Sequence, residues 1–413
     1  MRRMVMAALA LAVVAIAAGE AFGQQLRLPR GFWRGWLESP GGEVAFEMEF
    51  FEEGAGRSVA ITNGDERIVI PNVVFEHSEV VIPFPHFDSE LRGTFEEDQS
   101  RLVGTWRKTG RDGKRVEMVF RAERGERLRY PGAAAPSAGV EVAGRWRASF
   151  AESGDAVGEF RAGEEPGTVV GTFLTPTGDY GHLSGVIDGK TVRMSTFDGA
   201  HAFLFTAEID EDGALVGEFF SGPAWREVWA AERDDDAALP DGFGLVGWDP
   251  AVDIWALEFT NERGERVTLE QELGGRSGLV LEVMGTWCPN CVDASRTLEE
   301  VRKEIPQPQM VRVVGVAFEY TADQERSLRQ IAAFRARHAI AYPILLGGVA
   351  DKKKVPEVLT GLNEVRSFPT TIFARRDGRV IGVHSGFSGP ATGEEHARLR
   401  EKFARLMVEA GQR

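Results

Sequence analysis

Cys288 and Cys291 are the only cysteines in 413 residues, and they stand three positions apart. A bridge between residues that close encloses too short a loop to stabilise a fold much through chain entropy. The pair therefore points to redox exchange or metal binding. Zinc would need two further ligands at a suitable spacing; there is no third cysteine, and the nearest histidine in sequence is His338. Covalent haem attachment would need a histidine directly after the second cysteine, and Val292 stands there. Redox exchange is left, against the simpler reading of two buried, unreactive thiols. In Trp287-Cys288-Pro289-Asn290-Cys291, Pro289 suits the first turn of a helix, where a missing N–H costs nothing. A helix N-terminus carries partial positive charge and free N–H groups that favour a thiolate. Cys288 is then the expected nucleophile. Cys291, one turn on, is placed to resolve the mixed disulfide, so the two would cycle between dithiol and disulfide.

The elements that would position this motif read as alternating strand and helix from about residue 250. Leu279–Met284 is a buried strand leading into the motif, and the helix after it carries Val292, Leu298, Val301 and Ile305 on one side. Val311–Phe318 is a second buried run and Gln324–His338 a second helix. Short strands follow at Pro343–Leu346, Thr370–Phe373 and Val380–Val383, then a last helix around Glu394–Glu409. That alternation, ending in a hairpin, predicts an α/β domain over 250–413 with a mixed sheet.

Residues 24–240 read differently. Gly31-Phe32-Trp33 returns as Gly144-Arg145-Trp146 and Leu102-Val103-Gly104 as Leu215-Val216-Gly217, both at an offset of 113. Phe87-Asp88 returns as Phe197-Asp198, and Val119–Arg124 as Val228–Arg233, at offsets of 110 and 109. Val44, Phe46, Met48 and Phe50 alternate with polar or small residues, as do Phe203, Phe205, Ala207 and Ile209, which is the period of a half-buried strand. Two tandem all-β units are predicted, 27–126 and 140–234, each a small antiparallel barrel of lipocalin-like pattern. Pro131–Ser137 and Asp234–Pro240 are the expected linkers. The Phe-Asp pairs read as turn closures that recur because the fold recurs. The tryptophans of these units read mostly as core; a cleft among them could hold a glycan, a lipid or a client peptide.

The strand–Trp287-Cys288-Pro289-Asn290-Cys291–helix, with Ser367-Phe368-Pro369-Thr370-Thr371-Ile372-Phe373 about 80 residues on, resembles the thioredoxin superfamily. Within it the best likeness is to the exported TlpA-like branch of thiol–disulfide oxidoreductases. The resemblance covers 250–413 and implies a thioredoxin fold, with Pro369 as a cis-proline facing the cysteine pair. It implies substrate contacts at Trp287, Phe368 and Pro369, and a reductase rather than an oxidase. Glu282 matches the family's buried acidic residue beneath the disulfide. A buried carboxyl resists ionisation and could take a proton from Cys291 as that sulfur attacks; the plainer role is a solvent-facing residue of an edge strand. Phe368 is a large apolar residue at a position that tunes substrate access.

The N-terminus reads as an address. Met1-Arg2-Arg3-Met4 is basic, Val5–Ala18 is apolar, and Ala21 and Gly23 are small residues before a cut at Gln24. Residues 1–23 are thus an expected secretory signal peptide, which places the mature chain in an exported, periplasmic and oxidising compartment. With 48 Lys+Arg against 63 Asp+Glu, a net charge of −15, nucleic acid is not an expected partner. The expected partners are a client protein bearing a disulfide and a membrane electron donor, with no cofactor and no metal. The rival reading is a binding or scaffold protein built on the β units, its thioredoxin-like domain vestigial. A thiol peroxidase fits the motif less well. Asp293 reads as a solvated helix residue and His384 as a strand end or a catalytic group. The Gly/Ser-rich turn 384–393 could cradle an anion, its simpler role being loop geometry and helix capping.

Overall fold

The computed structural model describes residues 29–54, 56–110, 113–125 and 128–412. The expected signal peptide, 1–23, lies outside the described residues. Among those residues no helix is long and apolar enough to cross a membrane.

The first sheet is an antiparallel meander of β1 (Gly31–Ser39), β2 (Gly42–Glu53), β3 (Gly56–Asn63), β4 (Glu66–Ile70), β5 (Val74–Glu76), β6 (Glu79–Phe84), β7 (Ser89–Phe95), β8 (Arg101–Thr109) and β9 (Arg115–Arg124). β9 returns to pair with β1, so the order is β4-β3-β2-β1-β9-β8-β7-β6-β5. The second repeats it with β10 (Gly144–Phe150), β11 (Gly154–Ala162), β12 (Thr168–Thr175), β13 (Gly178–Asp179), β14 (Leu183–Asp188), β15 (Thr191–Phe197), β16 (Ala202–Ile209), β17 (Leu215–Ser221) and β18 (Trp225–Arg233). Trp33 and Trp146 occupy matching places. Both are buried, and each indole N–H donates to the carbonyl four residues back, Pro29 and Val142.

The two copies differ in closure. In the second, β11 pairs with both β10 and β12, which closes an eight-stranded barrel around Phe150, Phe173, Phe205 and Trp229. The first is not the barrel the sequence predicts. Its edge strands β4 and β5 remain unjoined. The physical reason is a plug: Phe197, from the end of β15, inserts against Phe46, Phe84 and Trp106 at ring separations of 4.7, 5.9 and 5.5 Å. The side chain of Asn63 pairs with both the N–H and the carbonyl of Phe197, at 3.2 and 2.9 Å. Apolar burial that barrel closure would supply comes instead from the neighbouring unit. The turn needs Gly199, at φ +90°, because a Cβ there would lie 2.2 Å from the Phe84 ring.

The third unit holds β19 (Glu258–Thr260), β20 (Arg266–Thr268), α1 (Leu269–Leu273), β21 (Gly278–Met284), α2 (Pro289–Glu304), β22 (Val311–Glu319), α3 (Gln324–His338), β23 (Ile344–Val349), α4 (Val355–Val358), β24 (Thr370–Arg375), β25 (Val380–Ser385) and α5 (Glu394–Ala410). Its mixed sheet runs β20-β19-β23-β22-β21-β24-β25, with β21, β22 and β23 parallel and β24 antiparallel to β21. Every residue of β21 is buried, as a strand covered on both faces requires.

Both β units rest on this third unit. The 3₁₀ turn Pro85–Phe87 packs against α3, and Asp88 pairs with Arg326. Arg145 of β10 pairs with Glu395 of α5 at 3.1 Å. The repeated Phe-Asp pairs are therefore more than turn closures: Phe197 joins the second unit to the first, and Phe87-Asp88 joins the first to the third.

Candidate active site

The cysteine motif sits where β21 ends and α2 begins. Cys288 is the N-cap of α2, with extended backbone at φ −107° and ψ 111°, and its sulfur accepts the Cys291 N–H at 3.3 Å. An N-cap acceptor satisfies one of the helix's free donors, here with a sulfur. Pro289 occupies the first helical turn. Both cysteines are free thiols; Cys288 is 6 % exposed and Cys291 fully buried. Burial, and next the nearby Cys288, push the Cys291 thiol well above its usual range.

Opposite stands the turn before β24. The Phe368–Pro369 peptide is cis, and the Phe368 carbonyl lies 3.5 Å from the Cys288 sulfur. Trp287 donates from its indole N–H to the Phe318 carbonyl at 2.9 Å, stacks on Tyr320 at 4.5 Å and meets Phe368 edge-on at 5.5 Å. The Phe368 ring is buried.

Glu282 lies on the central strand β21, between β22 and β24, and not on an edge. It is fully buried, accepts from Ser295 Oγ at 2.9 Å and from Tyr342 OH at 2.8 Å, and makes no hydrogen bond to Cys291. Burial raises its carboxyl from 4.5 to about 7, while its charge is felt at Cys291. Sequence reasoning missed Ser295 and Tyr342. The signal for Ser295 was its place one turn beyond Cys291 on the inward side of α2; Tyr342 had none. It also missed Glu319, whose carboxylate accepts from Thr286 N–H at 2.9 Å and Thr286 Oγ1 at 2.8 Å, just before the motif. Burial lifts Glu319 to about 7 as well.

A carboxyl bound more tightly to its proton when folded contributes stability at low pH. The Glu282 contribution is full below about 4.5 and is lost as pH rises to about 7. Urea titrations of Glu282→Gln should show a shallower loss of stability over that window than the parent chain. Some slope should remain, because Glu66 and Glu319 also sit near 7. An unchanged slope would mean that the buried Glu282 carboxyl does not carry this pH dependence.

The β units close over the motif. Asn290 Nδ2 donates to the Asp179 carbonyl at 3.1 Å, and a Cβ at Gly178 (φ +150°) would fall 2.5 Å from the Asn290 amide. Asp179 Oδ2 accepts the Gly389 N–H at 2.6 Å. The 384–393 turn thus meets a carboxyl of this same chain through one backbone N–H. Lys108 of β8 donates to the Ala200 carbonyl at 2.7 Å, and burial holds its ammonium below the usual range, against the opposing charge of Asp198. Asp293 is not the solvated residue expected from sequence. It is half-buried, and burial, then Asp179 and Glu66, drive its carboxyl well up. His384 is buried against Phe243 and Phe403, with ring separations of 4.7 and 5.4 Å, away from the cysteines' contacts.

No family model matches the chain, and no curated protein matches it. Solved structures do. A secreted disulfide oxidoreductase of Mycobacterium tuberculosis, described as homologous to E. coli DsbE, is 18% identical over 37% of this chain and 99% of its own, with a TM-score of 0.27. A thiol:disulfide interchange protein of the thioredoxin family from Chlorobium tepidum is 20% identical over 39% and 99%, at 0.28. The peroxidoxin BcpB of M. tuberculosis is 21% identical over 39% and 97%, at 0.28.

Proposed function

We propose that the chain is an exported thiol–disulfide oxidoreductase of the TlpA type, reducing disulfides of client proteins through Cys288 and Cys291. The observation that carries this is the pairing of two thiols in unlike settings. Cys288 caps a helix and receives the Cys291 N–H, while Cys291 is buried beside Glu282. The first sulfur is set to attack and the second to stay protonated until a mixed disulfide forms. The Cys288 thiolate attacks a client sulfur and expels the first client thiolate. Cys291 then gives its proton toward Glu282, attacks Cys288 and expels the second, leaving a Cys288–Cys291 disulfide. The client gains two electrons and the dithiol loses two; a membrane donor would restore it. Phe368, cis-Pro369 and Trp287 frame the approach to Cys288, and units 27–126, 140–234 and 250–413 serve as two covering β domains and one catalytic domain. Export would follow removal of 1–23.

The test uses the pre-reduced full-length chain and excess 2-hydroxyethyl disulfide, an uncharged probe. Two thiols should be released per chain, with loss of both protein thiols. No release above the uncatalysed background would overturn the proposal.

A further inference from the structure

Cys288 reaches its place through a tight turn. Its N–H donates to the Gly285 carbonyl at 3.2 Å, which makes Thr286 and Trp287 the middle residues of a four-residue turn. The end of β22 holds both of them. The Phe318 carbonyl accepts the Trp287 indole N–H at 2.9 Å, and the Glu319 carboxyl accepts from Thr286 N–H and Thr286 Oγ1 at 2.9 and 2.8 Å. Tyr320, the next residue, stacks on the Trp287 ring at 4.5 Å, with 19° between the planes. Three consecutive residues after the middle of β22 thus grip the two residues that precede Cys288.

Glu319 is 1 % exposed. A carboxyl is costly to bury unless hydrogen bonds meet it, and the bonds it makes here go to this turn. Either charge state can make them. Ionised, the carboxylate accepts from both Thr286 groups; protonated, it accepts the N–H and donates to Oγ1. The backbone of Glu319 is held separately: it pairs with Val349 of β23, and its carbonyl accepts the Ala350 N–H at 2.8 Å. The first β unit covers the grip from outside. Phe87 and Asp88 meet Trp287, Glu319, Tyr320 and Arg326 around a cavity of about 20 Å³, room for about one water, and Asp88 pairs with Arg326. Trp287 also meets Phe368 edge-on at 5.5 Å, and the Phe368 carbonyl lies 3.5 Å from Cys288 Sγ. The turn therefore bears on both the sulfur and the wall opposite it.

We propose that Glu319 is a positioning residue of the dithiol: through Thr286 it holds the turn that aims Cys288 at an incoming disulfide. This rests on the exchange reaction at Cys288 and adds to it a residue outside the cysteine motif. Glu319 acts through hydrogen bonds to the turn and not through its charge, since both protonation states make the same two bonds. Attack on a disulfide depends on the approach of the sulfur, and a misplacement of about 1 Å can cost about 100-fold in rate.

The test follows the rate at which the pre-reduced full-length chain loses its two thiols to excess 2-hydroxyethyl disulfide, by acid quench, alkylation and intact mass. Glu319→Leu should slow it on the order of 10- to 100-fold, and Thr286→Val, which keeps the backbone N–H bond, by less. Glu319→Gln should recover most of the loss, because its amide oxygen can accept the N–H while its NH2 donates to Oγ1. Thr286→Ser, which keeps the hydroxyl, should do the same at its position. The double variant Glu319→Leu with Thr286→Val should be no slower than Glu319→Leu, since both act through one contact. A merely structural Glu319 would shift urea midpoints and leave these rate ratios flat. Three results would each overturn the inference and leave the exchange reaction standing: Glu319→Leu at or above the parent rate, Glu319→Gln as slow as Glu319→Leu, or single effects that multiply in the double variant. Where Glu319→Leu does not fold, Thr286→Val decides: a slower rate that Thr286→Ser restores supports the inference, and the parent rate overturns it. No thiol loss in the parent chain overturns the exchange reaction and the inference with it.

Discussion

Cys288→Ser should abolish disulfide reduction, with a loss on the order of a thousandfold or more, because a serine hydroxyl in place of the thiolate nucleophile is far too weak to attack sulfur. Cys291→Ser should behave differently. Its Cys288 can still attack, but no neighbouring sulfur releases the client, so the mixed disulfide accumulates. The geometry separates the two variants. Cys288 Sγ is at the head of α2 and accepts a backbone N–H, whereas Cys291 is fully buried one turn on. Non-reducing gels and intact mass should show one client thiol added per chain in Cys291→Ser and none in Cys288→Ser. Adducts at equal yield in both variants would mean that the helix N-terminus does not select the attacking sulfur.

Arg129→Met should cost about 3–5 kcal/mol, the range for removing one member of a buried charged network. Arg129 is 4 % exposed and ties the β units together. Its guanidinium donates to the carbonyls of Ala45 at 2.6 Å and Thr62 at 2.5 Å in the first unit, and to that of Ser195 at 3.3 Å in the second. Tyr130 OH adds a bond to Ser195 Oγ at 3.0 Å, and Ser195 Oγ reaches back to the Ala45 carbonyl at 2.6 Å. Methionine would fill the space but remove the guanidinium's bonds to all three carbonyls, leaving that of Ala45 its bond from Ser195 Oγ. Lysine should restore less than half of the loss, since its ammonium cannot fork to carbonyls on two strands. Urea unfolding of the three chains measures this. A cost within 0.5 kcal/mol, the usual range of surface substitutions, would mean that the Arg129 guanidinium does not hold the units together.

The local features were legible in the sequence. Period-two alternation at Val44–Phe50 and Phe203–Ile209 gave strands, and helical spacing after Pro289 gave α2, because these patterns depend on neighbours in the chain. The tandem offset near 113 residues held strand by strand, down to the matched indole bonds of Trp33 and Trp146. What escaped was set by contacts between distant segments. The first sheet stays open because Phe197 fills it, and no pattern within residues 27–126 could reveal a plug supplied from outside. Asp293 has the helix position of a solvated residue; burial by two other units is what changes its chemistry. Glu282 was visible six residues before Cys288, yet Tyr342, 60 residues on, which binds its carboxylate, was not. Lys108, from the first β unit, meets the Ala200 carbonyl of the second only through the packing of the two units.

The central claim is that Cys288 and Cys291 form one dithiol–disulfide couple. The most direct measurement equilibrates the full-length chain in glutathione buffers of graded ratio, quenches it with an alkylating agent and counts free thiols by intact mass. The account predicts a single reversible transition from two free thiols to none, following a two-electron couple, with no population stable at one. Thiols that stay free across the whole range, or that react with glutathione one at a time and independently, would contradict it.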